Sequence, residues 1–279
     1  MTQLPPVGYF GAKVRIAPRI AALLPAHGHY VEPFAGSLSV LLAKPPSTME
    51  TVNDLDGDLM TFWRVLRDRP ADLQTACALT PHSRAEHQAA YAPADDELEQ
   101  ARRVWVLLTQ GRARIMKSTG WRHHADPAGS DLSMPGYLRG YVARIAPAAE
   151  RLARVSLECR PALEVIAAYG RHPGTLIYAD PPYPASTRPN SPSTYRHEMT
   201  GDTAHTELAA ALQACRGPVV ISGYPCPLYD DLYAGWHRHE IRAYSGYGTG
   251  DKARTEVLWS NRPLAAPAEL PLFGEEASA

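Results

Sequence analysis

No stretch of the 279 residues approaches the roughly 20 consecutive apolar residues that a membrane-spanning helix needs, so no membrane partner is expected. Met1 to Val7 lacks the basic and apolar regions of a signal peptide, which makes the cytoplasm the expected compartment. Cysteine is scarce. Cys77, Cys159, Cys215 and Cys226 are widely spaced with no C-x-x-C pair, and they predict neither a zinc site nor a disulfide framework. His123 and His124 are adjacent and so poorly spaced for one helical ligand face; no metal is expected. Net charge is nearly absent at −1, which taken alone argues against a nucleic-acid partner.

What is present is a globular composition, 45% hydrophobic, in a chain long enough for one or two domains with a large core. The balanced charge hides an asymmetry. Between Arg102 and Arg154 ten Lys/Arg face only Asp126, Asp131 and Glu150, so that segment carries +7 and the remainder −8. Trp121, His123 and Tyr137 interleave with the cations. The block reads as a phosphate-contacting surface, against the plainer reading of a solvated face.

Hydrophobic spacing predicts a helix over Val14 to Leu24, a strand over His29 to Phe34, a Gly36-Ser37 turn, a helix over Leu38 to Ala43 and a strand over Met49 to Asn53. A helix over Asp56 to Leu66 follows, with Leu59, Phe62, Trp63 and Leu66 as its apolar stripe. This alternation implies a parallel sheet with helices on both faces. It stops from about Arg69 to Arg151, which reads as a mainly helical insertion with a polar loop over Lys117 to Pro135. It resumes with a strand over Arg154 to Cys159, a helix over Ala162 to Tyr169 and a strand over Thr175 to Ala179. A helix over Thr203 to Cys215, a strand over Pro218 to Ser222 and a short helix over Pro227 to Tyr233 come next. Trp236 to Ala243 and Glu256 to Asn261 are the last strands, expected to be antiparallel. About seven strands result, without internal repeats, and residues from Arg262 onward read as a tail.

The most informative motif is Asp180-Pro181-Pro182-Tyr183, directly after the apolar strand Thr175 to Ala179. Open α/β sheets bind ligands at the carboxyl ends of their strands. Proline fixes φ and donates no backbone hydrogen bond. The tetrapeptide is therefore a stiff turn that offers a carboxylate, a free carbonyl and an aromatic face to a flat, amino-bearing ring. It is also ordinary turn chemistry, so its context decides.

That context lies upstream. The first strand runs into Glu32-Pro33-Phe34-Ala35-Gly36, where glycine permits close backbone approach to a ligand before a helix N-terminus. The second strand ends at Asn53-Asp54. About twenty residues beyond the glycine turn, an acid is placed to take the hydroxyls of a ribose; it is equally an ordinary helix N-cap. Near the start, Tyr9-Phe10-Gly11-Ala12-Lys13 puts a lysine within reach of a carboxylate, or simply on the surface.

Taken in order, Gly11-x-Lys13, Glu32-Pro33-Phe34-x-Gly36, Asn53-Asp54 and Asp180-Pro181-Pro182-Tyr183 resemble the Dam-like, D12 class N6-adenine DNA methyltransferases. Donor motifs first, insertion next and Asp-Pro-Pro-Tyr last is the family's alpha arrangement, and phage- or prophage-type members look most similar. The resemblance spans roughly Tyr9 to Asn261, including Ile221-Ser222-Gly223-Tyr224 and Thr255 to Trp259. It implies a Rossmann-like class I methyltransferase sheet over 1–68 and 154–262, an inserted target-recognition subdomain over 69–153, and a tail over 263–279. It implies S-adenosylmethionine as donor and DNA as partner, beside a restriction endonuclease.

The resemblance also assigns residues. Asp180 and the Pro181 carbonyl would take the two N6 protons, with Pro182 stiffening the turn and Tyr183 stacking on the adenine. Asp54 would hold the ribose. Lys13 and Tyr9, with Gly11, would lie at the methionine end, and Glu32, Pro33, Phe34 and Gly36 would form the pocket floor. Cys159 would lie near the donor's adenine. Arg112, Arg114, Lys117, Arg122 and Arg139 would meet phosphates or bases, and Ser186-Thr187-Arg188 would close over the flipped base. Three positions depart from the family pattern. Tyr9 stands where many members have tryptophan, Ala12 where they have glycine, and Leu38 where they carry a second glycine. The rival readings are cytosine-N4 methylation, methylation of RNA or of a protein glutamine, and an inactive methyltransferase fold that only binds DNA. A leading aspartate favours adenine, since cytosine-N4 enzymes more often begin the tetrapeptide with serine.

Overall fold

The computed structural model describes residues 3–124, 133–187, 195–199, 201–245 and 252–265, and the side chains of 243–245 and 252–254 are outside that description. Arg188, most of the tail and residues 125–132 of the polar loop fall outside the described residues.

Seven strands form one sheet in the order β3-β2-β1-β4-β5-β7-β6. These are β1 (His29–Glu32), β2 (Met49–Asn53), β3 (Val155–Glu158), β4 (Thr175–Ala179), β5 (Val219–Gly223), β6 (His237–Ser245) and β7 (Lys252–Ser260). The first five are parallel, while β7 runs antiparallel to both β5 and β6. β1 pairs with β2 on one side (His29↔Met49) and β4 on the other (His29↔Thr175). The chain order therefore reverses at β1 and opens a crevice at the carboxyl ends of β1 and β4. The motif residues after those strands face each other there.

The central strands β4 and β5 are buried along their whole length because helices cover both faces. With a period of two, Tyr30, Leu176, Tyr178 and Val220 point into one hydrophobic cluster, and Val31, Ile177, Ala179, Val219 and Ile221 into the other. The first cluster is closed by α1 (Ala17–Leu23), α2 (Ser39–Ala43) and α3 (Gly57–Asp68), the second by α9 (Ala162–Tyr169), α10 (Asp202–Gln213) and α11 (Pro227–Leu232). The α3 stripe of Leu59, Phe62, Trp63 and Leu66 is fully buried, as its spacing predicts.

Between β2 and β3 the chain adds α4 (Pro70–Leu79), α5 (Arg84–Ala89), α6 (Glu97–Gln110), α7 (Met134–Val142) and α8 (Ile145–Leu152). α6 packs on α3 and α4. Its Val104, Trp105 and Leu108 belong to the same cluster as the sheet residues Tyr30 and Val52. After α6, Gly111 bridges Trp121 in an antiparallel ribbon, held by Arg112 N–H to Gly120 O at 2.9 Å and Arg122 N–H to Gln110 O at 2.7 Å. No helix among the described residues is long and apolar enough to cross a membrane.

Candidate active site

Asp180 leaves the end of β4 into a ring of donors. Lys13 Nζ lies 2.9 Å from Oδ1 and 2.8 Å from Oδ2. Ser222, at the end of β5, donates its hydroxyl to Oδ1 at 2.9 Å. The Tyr183 hydroxyl lies 3.1 Å from Oδ1 and makes a shorter hydrogen bond to Glu256 of β7. Glu256 is itself 3.9 Å from Lys13. Burial works against the Lys13 charge, but Asp180 and Glu256 outweigh it, and the ammonium is held well above its ordinary pKa. Burial pushes Glu256 up to about 7, opposed by Lys13 and reinforced by Asp180. Burial and both carboxylates raise the Tyr183 phenol. Its ring packs edge-on to Tyr224 with centroids 4.8 Å apart.

The turn after β1 faces this cluster. Gly36 adopts φ +48°, and a Cβ there would press on the Tyr9 ring at 3.3 Å. Gly36 N–H donates to Asp54 Oδ2 at 3.0 Å, and Trp63 Nε1 donates to Gly36 O at 3.0 Å. Asp54 Oδ1 accepts from Asp56 N–H at 3.0 Å. Asp54 is therefore not the helix cap: Asp56 caps α3, accepting from Asp58 and Leu59 N–H. Burial raises the Asp54 carboxyl, against the two backbone donors. Asn53 ties three strand ends together, donating to Pro33 O at 2.9 Å and Arg160 O at 3.0 Å while accepting from Arg160 N–H at 2.8 Å. Burial pushes Glu32 up to about 8, with the Tyr30 hydroxyl bond opposing and the Asp180 charge adding.

Leu38 accounts for one departure from the family pattern. It sits at φ 56°, ψ 28°, the left-handed conformation that glycine favours, and is fully buried. Left-handed backbone costs an L-residue about 1–2 kcal/mol, whereas burying a leucine contributes roughly 1.5–3 kcal/mol. The leucine keeps the glycine conformation and offsets its cost by packing.

These parts enclose a cavity of about 290 Å³. Tyr9, Gly11, Lys13, Glu32, Pro33, Phe34, Gly36, Asp54, Asp180 and Pro182 all line it, from ends of the chain that sequence alone keeps apart. Leu55, Pro161, Ala162 and Leu163 add an apolar edge. Cys159 is exposed and does not line the cavity; Pro181 and Tyr183 do not either. One wall is the segment 195–199. Arg196 bonds Asp58 at 2.5 Å and Asp56 at 3.5 Å, and the Tyr195 hydroxyl donates to Phe10 O at 3.3 Å. Among the described residues no group of His, Cys, Asp and Glu could hold a metal ion.

The basic residues lie apart from this cavity. Arg112 and Arg139 are exposed, and Arg114, Lys117 and Arg122 half-buried. Arg114 Nη2 donates to Tyr137 OH at 2.9 Å, and the Arg122 guanidinium lies 4.5 Å over the same ring. Trp121 is stacked between His82, at 4.3 Å, and His123, at 5.3 Å.

Sequence reasoning did not single out Glu256, Ser222, Tyr195 or Arg196. Glu256 left a signal: an acid opening the apolar run Val257-Leu258-Trp259 must be buried with partners. Ser222 left none beyond its place at a strand end.

Residues 9–108 match the family described as MethyltransfD12, D12 class N6 adenine-specific DNA methyltransferase. The chain is 22% identical over 269 residues to the type II methyltransferase M1.LlaDCHI of Lactococcus lactis subsp. cremoris, covering 90% of this chain and 93% of that protein. It is 25% identical over 261 residues to the retron Ec67 DNA adenine methylase of Escherichia coli, covering 89% and 88%. Among solved structures, a precorrin 8w decarboxylase from Methanobacterium thermoautotrophicum aligns over 92% of this chain and 94% of its own, with a TM-score of 0.35 and 8% identity, too low to bear on the site. Matched motifs and near full-length relatives agree with the sheet order and the crevice at β1 and β4, and over residues 9–108 the chain is similar to the D12 class N6 adenine-specific DNA methyltransferases.

Proposed function

We propose that this chain transfers a methyl group from S-adenosylmethionine to N6 of an adenine flipped out of DNA. The observation that carries the reading is the meeting of Lys13 and Asp180 beside the Gly36–Asp54 turn, which joins the donor half of the chain to the acceptor tetrapeptide.

The family implies S-adenosylmethionine, and the cavity fits it. Gly36 and Gly11, at φ +48° and +76°, hold backbone where a Cβ would meet Tyr9 or Tyr195. Asp54 presents a half-buried carboxylate for a ribose, and Glu32, Pro33 and Phe34 lie along the floor. When bound, the donor supplies an electrophilic methyl on a sulfonium, so the residues need only prepare the acceptor.

Adenine N6 is a poor nucleophile because its lone pair is delocalised into the ring. Asp180 and the Pro181 carbonyl accept hydrogen bonds from its two protons, localise that pair and stabilise the nitrogen as it becomes cationic. Pro182 keeps the turn rigid, and Tyr183 supplies the aromatic face. Positioning contributes the rest. Flipping the base costs a few kcal/mol, recovered by stacking and hydrogen bonds in the site.

In this reading, 69–153 recognises the target, with Arg112, Arg114, Lys117, Arg122 and Arg139 on phosphates or bases. The ribbon from Gly111 to Trp121 and the stacked Trp121 support it. A cognate restriction endonuclease as partner and action in the cytoplasm complete the reading.

The test is to incubate the protein with methyl-labelled S-adenosylmethionine and mixed-sequence DNA, digest the DNA and identify the labelled nucleoside. N6-methyladenine is expected, and Asp180→Ala should bind donor but not turn over. Label only in N4-methylcytosine, or none at all, overturns the reading.

A further inference from the structure

A methylated N6 must lose a proton, and the site has to put it somewhere. Three groups are hydrogen-bonded to Asp180: Lys13, Ser222 and Tyr183. Lys13 is held in its protonated form and cannot accept. Among the described residues Ser222 leads onward to the Tyr178 hydroxyl, at 3.2 Å in the buried core. Of the two that can accept a proton, Tyr183 leads to a second carboxylate, Glu256, which is 3% exposed.

The hydrogen count along that path is informative. Tyr183 has one hydroxyl hydrogen and two carboxylate neighbours. With one hydrogen it can donate to Glu256 or to Asp180, not to both at once. When it donates to Glu256, its oxygen lies 3.1 Å from Asp180 Oδ1, within reach of a hydrogen bond from a protonated Asp180.

Resting on the reading of this site as an adenine-N6 methyltransferase, we infer that Asp180, Tyr183 and Glu256 form a proton relay that carries the N6 proton away from the reacting nitrogen, with Glu256 as its terminal acceptor. As the N6–methyl bond forms and the methyl–sulfur bond breaks, the sulfur keeps that electron pair and N6 becomes cationic. The N6–H bond then breaks, its electrons staying on nitrogen, and the proton passes to Asp180 Oδ1. The Tyr183 hydroxyl proton moves to Glu256 Oε1 as the Asp180 proton moves to the Tyr183 oxygen. Asp180 is again a carboxylate, Tyr183 again a phenol, and Glu256 is a neutral acid. The relay keeps a protonated Asp180 from facing the product amine.

Glu256 suits the terminal place. It lies on β7 opposite the apolar Ile241 of β6, and the charged and titratable groups that face it are Lys13, Asp180, Tyr183 and, from β4, Tyr178. Its ordinary carboxylate range is pushed up to about 7, so it holds a proton readily yet is available as a base at neutral pH.

The full chain with donor and DNA tests this in single-turnover reactions across pH. The wild-type rate should rise as pH passes through about 7, where Glu256 becomes free to accept. Glu256→Gln keeps an oxygen for Tyr183 but takes no proton. Its rate should be on the order of tenfold lower, beneath the usual range for general-base removal because the proton leaves a cation, and should lose that rise. Tyr183→Phe keeps the ring, cuts the path and should lose the same rise. Infrared difference spectra, wild type minus Glu256→Gln, of the protein without donor or DNA should show a carboxylic-acid band that titrates near 7, distinct from the Glu32 acid common to both proteins, and that band should shift in Tyr183→Phe. Unchanged rate and pH profile in Glu256→Gln, or an unchanged infrared titration, overturns the relay. A wild-type protein that makes no N6-methyladenine instead overturns the proposed function, a separate outcome.

Discussion

Lys13 Nζ meets both carboxylate oxygens of Asp180, at 2.8 and 2.9 Å, across 167 positions of sequence. The contact joins a loop before the first helix to the turn after β4. It also supplies the charge that allows Asp180 and Glu256 to sit together. Breaking a buried pair by removing one partner leaves an uncompensated charge and costs roughly 3–5 kcal/mol. Asp180 is partly exposed, with 19% of its side chain accessible, so Lys13→Met is expected at the lower end, about 3 kcal/mol, with turnover lost. Urea titration measures the first and methyl transfer the second. Wild-type stability in this variant would show that Lys13 does not neutralise the pair.

Leu38 permits a comparison of strain with packing. Leu38→Gly relieves the left-handed backbone but gives up the buried side chain, a net loss of about 1 kcal/mol. Leu38→Ala keeps the strain and loses the packing, so its loss should be larger, about 3 kcal/mol. The expected order by thermal melting is wild type, then Leu38→Gly, then Leu38→Ala. An alanine variant more stable than the glycine one contradicts the assignment of strain to this residue.

Asp54 both lines the cavity and fixes the Gly36 amide. Hydrogen bonds to charged groups contribute about 1.5–3 kcal/mol, so Asp54→Ala should weaken donor binding by about 10- to 100-fold. The protein should stay folded, because Asp56 still caps α3. Calorimetric titration with S-adenosylmethionine reads the loss, and an unaltered Kd would remove Asp54 from the donor site.

Glu32 links the site to pH. Its folded pKa, about 8, lies above the ordinary value near 4.5. Between those values the folded state holds a proton that the unfolded chain has released. The stability it contributes is therefore complete below about pH 4.5 and is lost as pH rises through about 8. Glu32→Gln stays neutral at every pH, so its melting temperature should fall less than that of wild type between pH 5 and 8. Parallel curves for the two proteins would disprove the burial argument.

Much of this was legible in the sequence. β2, β4 and α9 end where hydrophobic spacing places them, because each is bounded by turn residues and packed on one or two faces. The Asp-Pro-Pro-Tyr turn and the Gly36 turn were legible because rigid or permissive backbone types have few other uses. Less legible was what meets what. A lysine at 13 reads as a surface residue until parallel pairing of β1 with β4 brings Asp180 beside it. Glu256 reads as one acid in a late strand until β7 inserts between β5 and β6. The cap at Asp56 rather than Asp54 depended on backbone geometry one turn long, which spacing does not resolve.

The left-handed Arg114, at φ 55°, accepts a hydrogen bond from Phe10 N–H at 3.0 Å. Three residues later in the chain, Lys13 holds Asp180. The ribbon beyond α6 and the carboxylate at the end of β4 are thus the two anchor points of one short tether. The cation beside Asp180 and the ribbon are positioned by the same few residues.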